Sequence, residues 1–280
     1  MDGLIDVLNI SKTQIKKKYS TPKELKRKIY KRQEYFIDAN IINFGEIYPE
    51  FGGWPRPSII QEDQTFIALS KPPKIHCHPL SYDEKDNLLS FLYQEKNDAS
   101  LCVNTGYYDR GLIYRIDYET SGLVLYAKSD ELYHKYRENF KELVIEKQYF
   151  AIVDGEYSSS TEKLEHYLDY TGSRNGRAKV LPKGESSAFL AQASVEVIEY
   201  NQAQNCSLLL LTLKQGHRHQ LRVQLSATGH AILGDPLYGT RAESRMFLHC
   251  YKYTLIVEEK KQEYSDSNLG LFTDFFNFNG

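Results

Sequence analysis

From Ile59 onward the chain alternates strand-like runs with turns, interrupted by a few helical stretches, and lacks the regular strand, helix, strand beat of a parallel sheet. Strands joined by short turns pair antiparallel, whereas parallel pairing needs a crossover of a dozen or more residues. The expected fold class is therefore α+β: a mixed, mainly antiparallel central sheet with flanking helices. Strand-like runs are IIQEDQTFIALSK, GLIYRID, GLVLYAK, KQYFAIVDG, SVEVIEY, CSLLLLTLK and HCYKYTLIVEE. Helices are predicted over NLLSFLYQEK, over SDELYHKYRENFKEL, where Leu132, Tyr136 and Phe140 recur at helical spacing behind Ser129, and over RHQLRVQLSATG, which stops at Gly229. Residues 155 to 190 read as polar and turn-rich, and the end as an aromatic tail, LFTDFFNFNG.

A chain of 280 residues exceeds one ordinary domain. The Pro- and Gly-rich stretch PEFGGWPRPS, residues 49 to 58, marks a boundary between an N-terminal block over 1–55 and a larger domain over 56–262, followed by a tail over 263–280. The N-terminal block reads as short helices, one of them started at Pro22, closed by a small hairpin. Its charge is unlike the rest. Residues 12 to 32 hold ten Lys or Arg against Glu24, a net +9, so the overall −2 leaves −11 elsewhere. Such asymmetry points either to a solvated helix face or to a basic arm that meets an acidic polymer.

Several classes of protein are disfavoured. The N-terminus lacks the basic start, apolar run and small-residue site of a secretory signal, and no apolar run approaches the ~20 residues of a membrane span. The four cysteines show no CxxC spacing, which fits reduced thiols in a cytoplasmic protein. Neither a GxxxxGK[ST] loop nor a dinucleotide fingerprint is present, so no ATP, NAD or other cofactor is expected. His76-Cys77-His78 and His217 with His219 alternate as neighbours on a strand do, without the usual spacing of metal ligands, and no metal site is expected.

The chemistry concentrates in GLIYRIDYETSGLVLYAKS, residues 111 to 129, which places Arg115 and Asp117 where a strand is expected to run into a turn. Thr120, Ser121 and Gly122 could tie the backbone around Asp117 through side-chain hydrogen bonds and a permissive dihedral. By itself Asp117 reads either as a turn former or as a catalytic carboxylate.

The segment Tyr114-Arg115-Ile116-Asp117-Tyr118-Glu119-Thr120-Ser121-Gly122-Leu123 resembles the HRLDxxTSGLLL motif of the RluA-type pseudouridine synthases. Lys71-Pro72-Pro73 with His78-Pro79 resembles that family's KPaG…HP segment, and Lys147 to Gly155 its KxYxAxVxG strand. Gly216-His217-Arg218-His219-Gln220-Leu221-Arg222-Val223, then Gly229-His230 and Gly234-Asp235-Pro236-Leu237-Tyr238-Gly239, resembles its GRTHQIRVHL…GHPIxGDxxYG block. Four segments in the family's order make the match specific. Two positions depart from the pattern: Tyr114 replaces a His, and His217 an Arg.

The resemblance implies the pseudouridine synthase fold and an RNA isomerase that breaks a uridine's N-glycosidic bond, turns the uracil and rejoins it through C5. It implies a catalytic trio of Asp117, Tyr149 and Arg222: the essential carboxylate, a tyrosine that stacks on the base and assists proton removal, and an arginine that pairs with and orients Asp117. Whether the carboxylate attacks the sugar or initiates elimination stays open. Arg115 would fill the space left by an extruded uridine, and Arg218 and His219 would contact RNA. The basic block resembles an S4-type RNA-binding module, with Lys16, Lys17 and Lys18 suited to phosphates. That module favours ribosomal over transfer RNA, with a monomer as the working state. The rivals are a catalytically silent RNA-binding or ribosome-assembly factor on the same fold, and an RNA hydrolase pairing Asp117 with a second carboxylate such as Glu119.

Overall fold

The computed structural model describes residues 51–80, 84–96, 103–104, 109–158, 161–170, 177–182 and 189–277. The N-terminal helices, the S4-like module and Lys16 to Lys18 lie outside these residues. Among those described, strands β1 (Ser58–Glu62), β2 (Phe66–Lys71), β3 (Ser121–Ala127), β4 (Val144–Asp154), β5 (Thr161–Asp169), β6 (Lys179–Leu181), β7 (Phe189–Asn201), β8 (Cys206–Leu213), β9 (Leu248–Val257) and β10 (Lys260–Ser265) form one sheet. Its order is β1-β2-β3-β9-β4-β8-β7-β5-β6, with β10 added beside β9. Every strand pair is antiparallel except β3 with β9, so the mixed, mainly antiparallel α+β sheet expected from the sequence is what forms. The helices are α1 (Leu88–Lys96), α2 (Asp130–Glu138), α3 (Phe140–Leu143), α4 (Gln220–Ala227) and α5 (Gly270–Asn277). None among the described residues is long and apolar enough to cross a membrane.

Strands β2 and β3 are buried along their whole length, which accounts for their continuous apolar runs, FIALSK and SGLVLYA. Leu88, Leu89, Phe91 and Leu92 of α1 and Tyr133 and Tyr136 of α2 complete the main core around them. Ser129 caps α2 by accepting from Leu132 N at 3.2 Å, and the predicted single helix breaks at Asn139.

The fold departs from the sequence expectations in four places. GLIYRID is not a strand: Leu112 makes an isolated bridge to Tyr126, and the chain then leaves the sheet. That edge of β3 is shared: Gly111 and Ile113 bond to Ala127 and Leu125 at one end, and β9 takes the other, through Ser121 opposite His249 and Gly122 opposite Cys250. The turn-rich stretch hides β5 and β6, because the buried Leu164 and Leu168 of β5 stand four residues apart with Glu165, His166 and Tyr167 between them, so no period-two apolar pattern shows. The aromatic end folds into α5, whose Phe272 and Phe276 pack with Ile152 of β4 and with Leu233 and Phe247 of the connecting segments. Finally, His76 to His78 and His217 to His219 lie in loops, not on strands.

Candidate active site

Asp117 sits on the extended stretch that leaves the sheet, just before a turn closed by Thr120 N donating to Asp117 O at 3.1 Å. That turn is fixed from below. Lys71, fully buried, donates through Nζ to the carbonyls of Pro72 (2.9 Å), Ile75 (3.0 Å) and Tyr118 (3.2 Å), and Lys74 N donates to Tyr118 O at 2.7 Å. Burial draws the Lys71 ammonium down to about 8. Ser121 does not tie the backbone of Asp117, as the sequence suggested. Its Oγ meets His249 Nδ1 at 2.9 Å and accepts from Arg245 Nη2 at 2.5 Å, fastening the start of β3 to the β9 side. Gly122 likewise serves the strand pairing. At φ +113° it lies so near β9 that a Cβ would fall 2.2 Å from Cys250 O.

Arg222 comes from the first turn of α4, which the left-handed His219 (φ 56°) introduces. Its Nη1 donates to Asp117 Oδ2 at 3.1 Å, while Nε and Nη2 each reach the Asp235 carboxylate at 2.7 Å. The guanidinium is thus held in the planar two-point geometry that arginine and carboxylate favour, with a third donor left for Asp117. Asp235 is pinned in turn: its Oδ1 also accepts from Leu237 N (2.8 Å) and Tyr238 N (3.1 Å). Burial opposes ionisation of Asp235, but the Arg222 hydrogen bonds and charge outweigh it and hold the carboxyl below its ordinary value. Burial likewise works against Arg222, and the two carboxylates reverse that effect.

His219 places Nε2 3.8 Å from Asp117 Oδ2 and Nδ1 3.1 Å from the Tyr238 hydroxyl. Burial lowers its pKa below the usual value, against the pull of Asp117, so at neutral pH the ring is mainly neutral and Arg222 is the charged partner of Asp117. Tyr149 on β4 forms a wall, with its hydroxyl turned toward Cys250 and Tyr253, and burial raises this phenol well above its ordinary value. Together Asp117, Tyr149, Arg222, His219, Tyr114 and Leu213 line a cavity of about 60 Å³.

The structure therefore gathers Asp117, Tyr149, Arg222, Arg115 and His219 around one cavity. Arg115 is exposed at its rim. Arg218 points elsewhere, its guanidinium 5.4 Å from the centre of the Tyr170 ring. Asp117 is the carboxylate among the described lining residues; Glu119 is not one of them, and Asp235 reaches the cavity only through its bonds to Arg222. The roles of Asp235 and Lys71 are not legible in the sequence, although both stand in segments that match the family pattern. A buried lysine and an acid in a Gly-Asp-Pro turn carry no mark of their partners until the chain is folded. The two departures from the family pattern have packing duties: Tyr114 donates to Gly216 O at 2.7 Å and stacks on Phe140, and His217 stacks on Phe189.

A family model described as RNA pseudouridylate synthase matches residues 65–227. An uncharacterized RNA pseudouridine synthase of Helicobacter pylori strain J99 is 32% identical over 204 residues, covering 72% of both chains. A protein of Borreliella burgdorferi named ribosomal large subunit pseudouridine synthase D is 29% identical over 71% of this chain and 61% of its own length. The fold matches that of human RNA pseudouridylate synthase domain containing 1, with a TM-score of 0.63 over 80% of this chain and 87% of that one, at 22% identity. Sequence and fold thus agree on the class, an RNA-modifying isomerase. The chain belongs to the RNA pseudouridylate synthase family and is an enzyme that converts uridine in RNA to pseudouridine.

Proposed function

We propose that this enzyme modifies uridines of large-subunit ribosomal RNA, with Asp117 as the group that acts on the sugar. In the reaction the bond from N1 to C1′ breaks, the uracil turns, and a bond from C5 to C1′ forms. The C5 hydrogen leaves as a proton and N1 takes one up, so no atom is gained or lost. The observation that carries the assignment is the chain Asp235, Arg222, Asp117 ending at a cavity walled by Tyr149. Asp235 holds Arg222 rigidly, and Arg222 orients the reactive carboxylate while leaving its other oxygen without a bond from the arginine.

Tyr149 presents its ring to the base. The raised phenol stays protonated, so stacking rather than base catalysis is its part in the resting site. Arg115, at the rim, enters the space vacated by the extruded uridine, where a planar cation can stack and hydrogen-bond. His219 contacts the RNA from the cavity edge and Arg218 from the outer surface, and Lys16, Lys17 and Lys18 of the basic 1–55 block add phosphate contacts ahead of a catalytic domain over 56–262 and the tail over 263–280. The ribosomal substrate is supported by relatives whose names carry it. The working form in this reading is a cytoplasmic monomer.

Incubating the protein with large-subunit ribosomal RNA made without modifications, then mapping pseudouridine site by site, tests the substrate. Pseudouridine at defined positions is the expected result. Modification of transfer RNA alone would overturn the ribosomal assignment.

A further inference from the structure

Bonded to the catalytic turn is the lining of a second, larger cavity of about 580 Å³, a size typical of ligand sites, lined by Trp54, Lys74, Arg245, Phe247, Phe275 and others. It touches the catalytic turn at two points. Arg245 donates to Ser121 Oγ, and the backbone of Lys74 donates to Tyr118 O. Through these two bonds the groove adjoins the turn that follows Asp117.

The lining has the chemistry of a nucleotide site. Trp54 is 89% exposed, an extreme value for the largest apolar side chain. Arg245 is half-buried against the Phe247 and Phe272 rings, its Nε and Nη2 donate to Met246 O and Ser121 Oγ, and among the described residues no hydrogen-bond acceptor takes Nη1. No described carboxylate pairs with Arg245, and burial draws its pKa down to about 10, which leaves it charged at neutral pH. Lys74 gives one bond to Ser244 O and, as an ammonium, has further donors to offer. Asp274, at the exposed rim, is an acid of this lining and is bonded to neither cation. A flat exposed indole beside an unneutralised guanidinium and an ammonium suits a base on the ring and a phosphate on the cations. The basic stretch over residues 12 to 32, at +9, is repelled by those cations and is the wrong occupant.

We infer that this groove is a second RNA subsite, which takes a nucleotide flanking the target uridine by stacking its base on Trp54 and binding its phosphate at Arg245 and Lys74. This rests on the chain acting on RNA and adds to it a second point of attachment beyond the catalytic cavity.

Trp54 is the only tryptophan of the chain, so its emission reports on the groove alone. The test titrates the full-length protein with a 12-residue oligoadenylate, which offers no uridine to the catalytic cavity, following tryptophan emission and the anisotropy of a labelled oligomer. Heparin, a polyanion without bases, is the control. Expected are saturable quenching by the oligomer at the concentrations where it binds, no quenching by heparin, about tenfold weaker binding for Trp54→Ala and near-parental binding for Trp54→Phe. Lys74→Ala is expected to weaken binding and flatten its salt dependence.

Binding without quenching, equal quenching by heparin, or no oligomer binding overturns the subsite. Emission that changes with protein concentration before RNA is added would also overturn it, assigning the groove to a second copy of the chain. Pseudouridine formation is scored separately: activity without quenching removes the subsite only, and quenching without activity removes the catalytic reading only.

Discussion

Replacing Asp235 by Asn tests whether Arg222 owes its position to that carboxylate. Both oxygens of Asp235 take bonds from Arg222 at 2.7 Å, and the two side chains are 0% and 3% exposed. Asparagine can keep Oδ1 against Leu237 N, Tyr238 N and Arg222 Nη2, but its amide would turn a donor toward Arg222 Nε and leave the guanidinium charge unpaired on that side. Removing one partner of such a buried pair costs about 3–5 kcal/mol, against at most about 1 kcal/mol for a partly exposed pair such as Asp117 with Arg222. Asp235→Asn should therefore lower the urea midpoint at unchanged m-value and lower kcat by leaving Arg222 free to shift. Arg222→Met combined with Asp235→Leu removes both charges and should regain stability to within about 2 kcal/mol of the parent while staying inactive. The depressed pKa of Asp235 gives stability that is fully present above its unfolded value near 3.8 and lost as pH falls through its lower folded value. The double variant should lack that acid-side loss. If Asp235→Asn stays within about 1 kcal/mol of the parent, the account of how Arg222 is held is wrong.

Lys147 is fully buried, lies 4.0 Å from the centre of the Tyr114 ring, and is drawn down to about 7 by burial. The unfolded chain takes up its proton between about 10.5 and 7 while the folded one does not, so stability should fall as pH is lowered through that window. Lys147→Met should flatten this slope and gain on the order of 2 kcal/mol at pH 8, and parallel urea curves for the two proteins would refute it. Gly122→Ala should cost more than about 3 kcal/mol, because the new Cβ meets Cys250 O, whereas Gly229→Ala, with open space around it, should cost about 1. Tyr149→Phe keeps the ring and should hold kcat within about tenfold; a loss of a hundredfold or more would give the hydroxyl a proton-transfer role.

The parts of the fold that were legible in the sequence are those with strong period or length: the buried runs of β2 and β3, the amphipathic α2 behind its Ser129 cap, and the stop of α4 at Gly229, which takes φ +87°. Strand β10 was missed because its hairpin turns through Glu258 and Glu259, both at positive φ, where a sequence reading looks for Asn or Gly. GLIYRID misled because its composition suits a strand along its whole length, while only Gly111 to Ile113 bond to β3, at Leu125 and Ala127, before the chain turns away toward Asp117. At the site, Asp117, Tyr149 and Arg222 were legible through the family motifs. Asp235 and Lys71 were not, since their roles depend on contacts with Arg222 and with Tyr118 O from distant parts of the chain.

The central claim is that the Asp117 carboxylate performs the isomerisation on a scaffold that does not need it to fold. Forming the bond from C5 to C1′ must release the hydrogen at C5, so RNA carrying tritium at C5 of uridine yields tritiated water only if the reaction occurs. Measured with the parent and Asp117→Asn side by side, together with urea unfolding of both, the account predicts release by the parent alone and stabilities equal to within about 1 kcal/mol. Release by Asp117→Asn at a rate near the parent's, or its failure to fold, would contradict it.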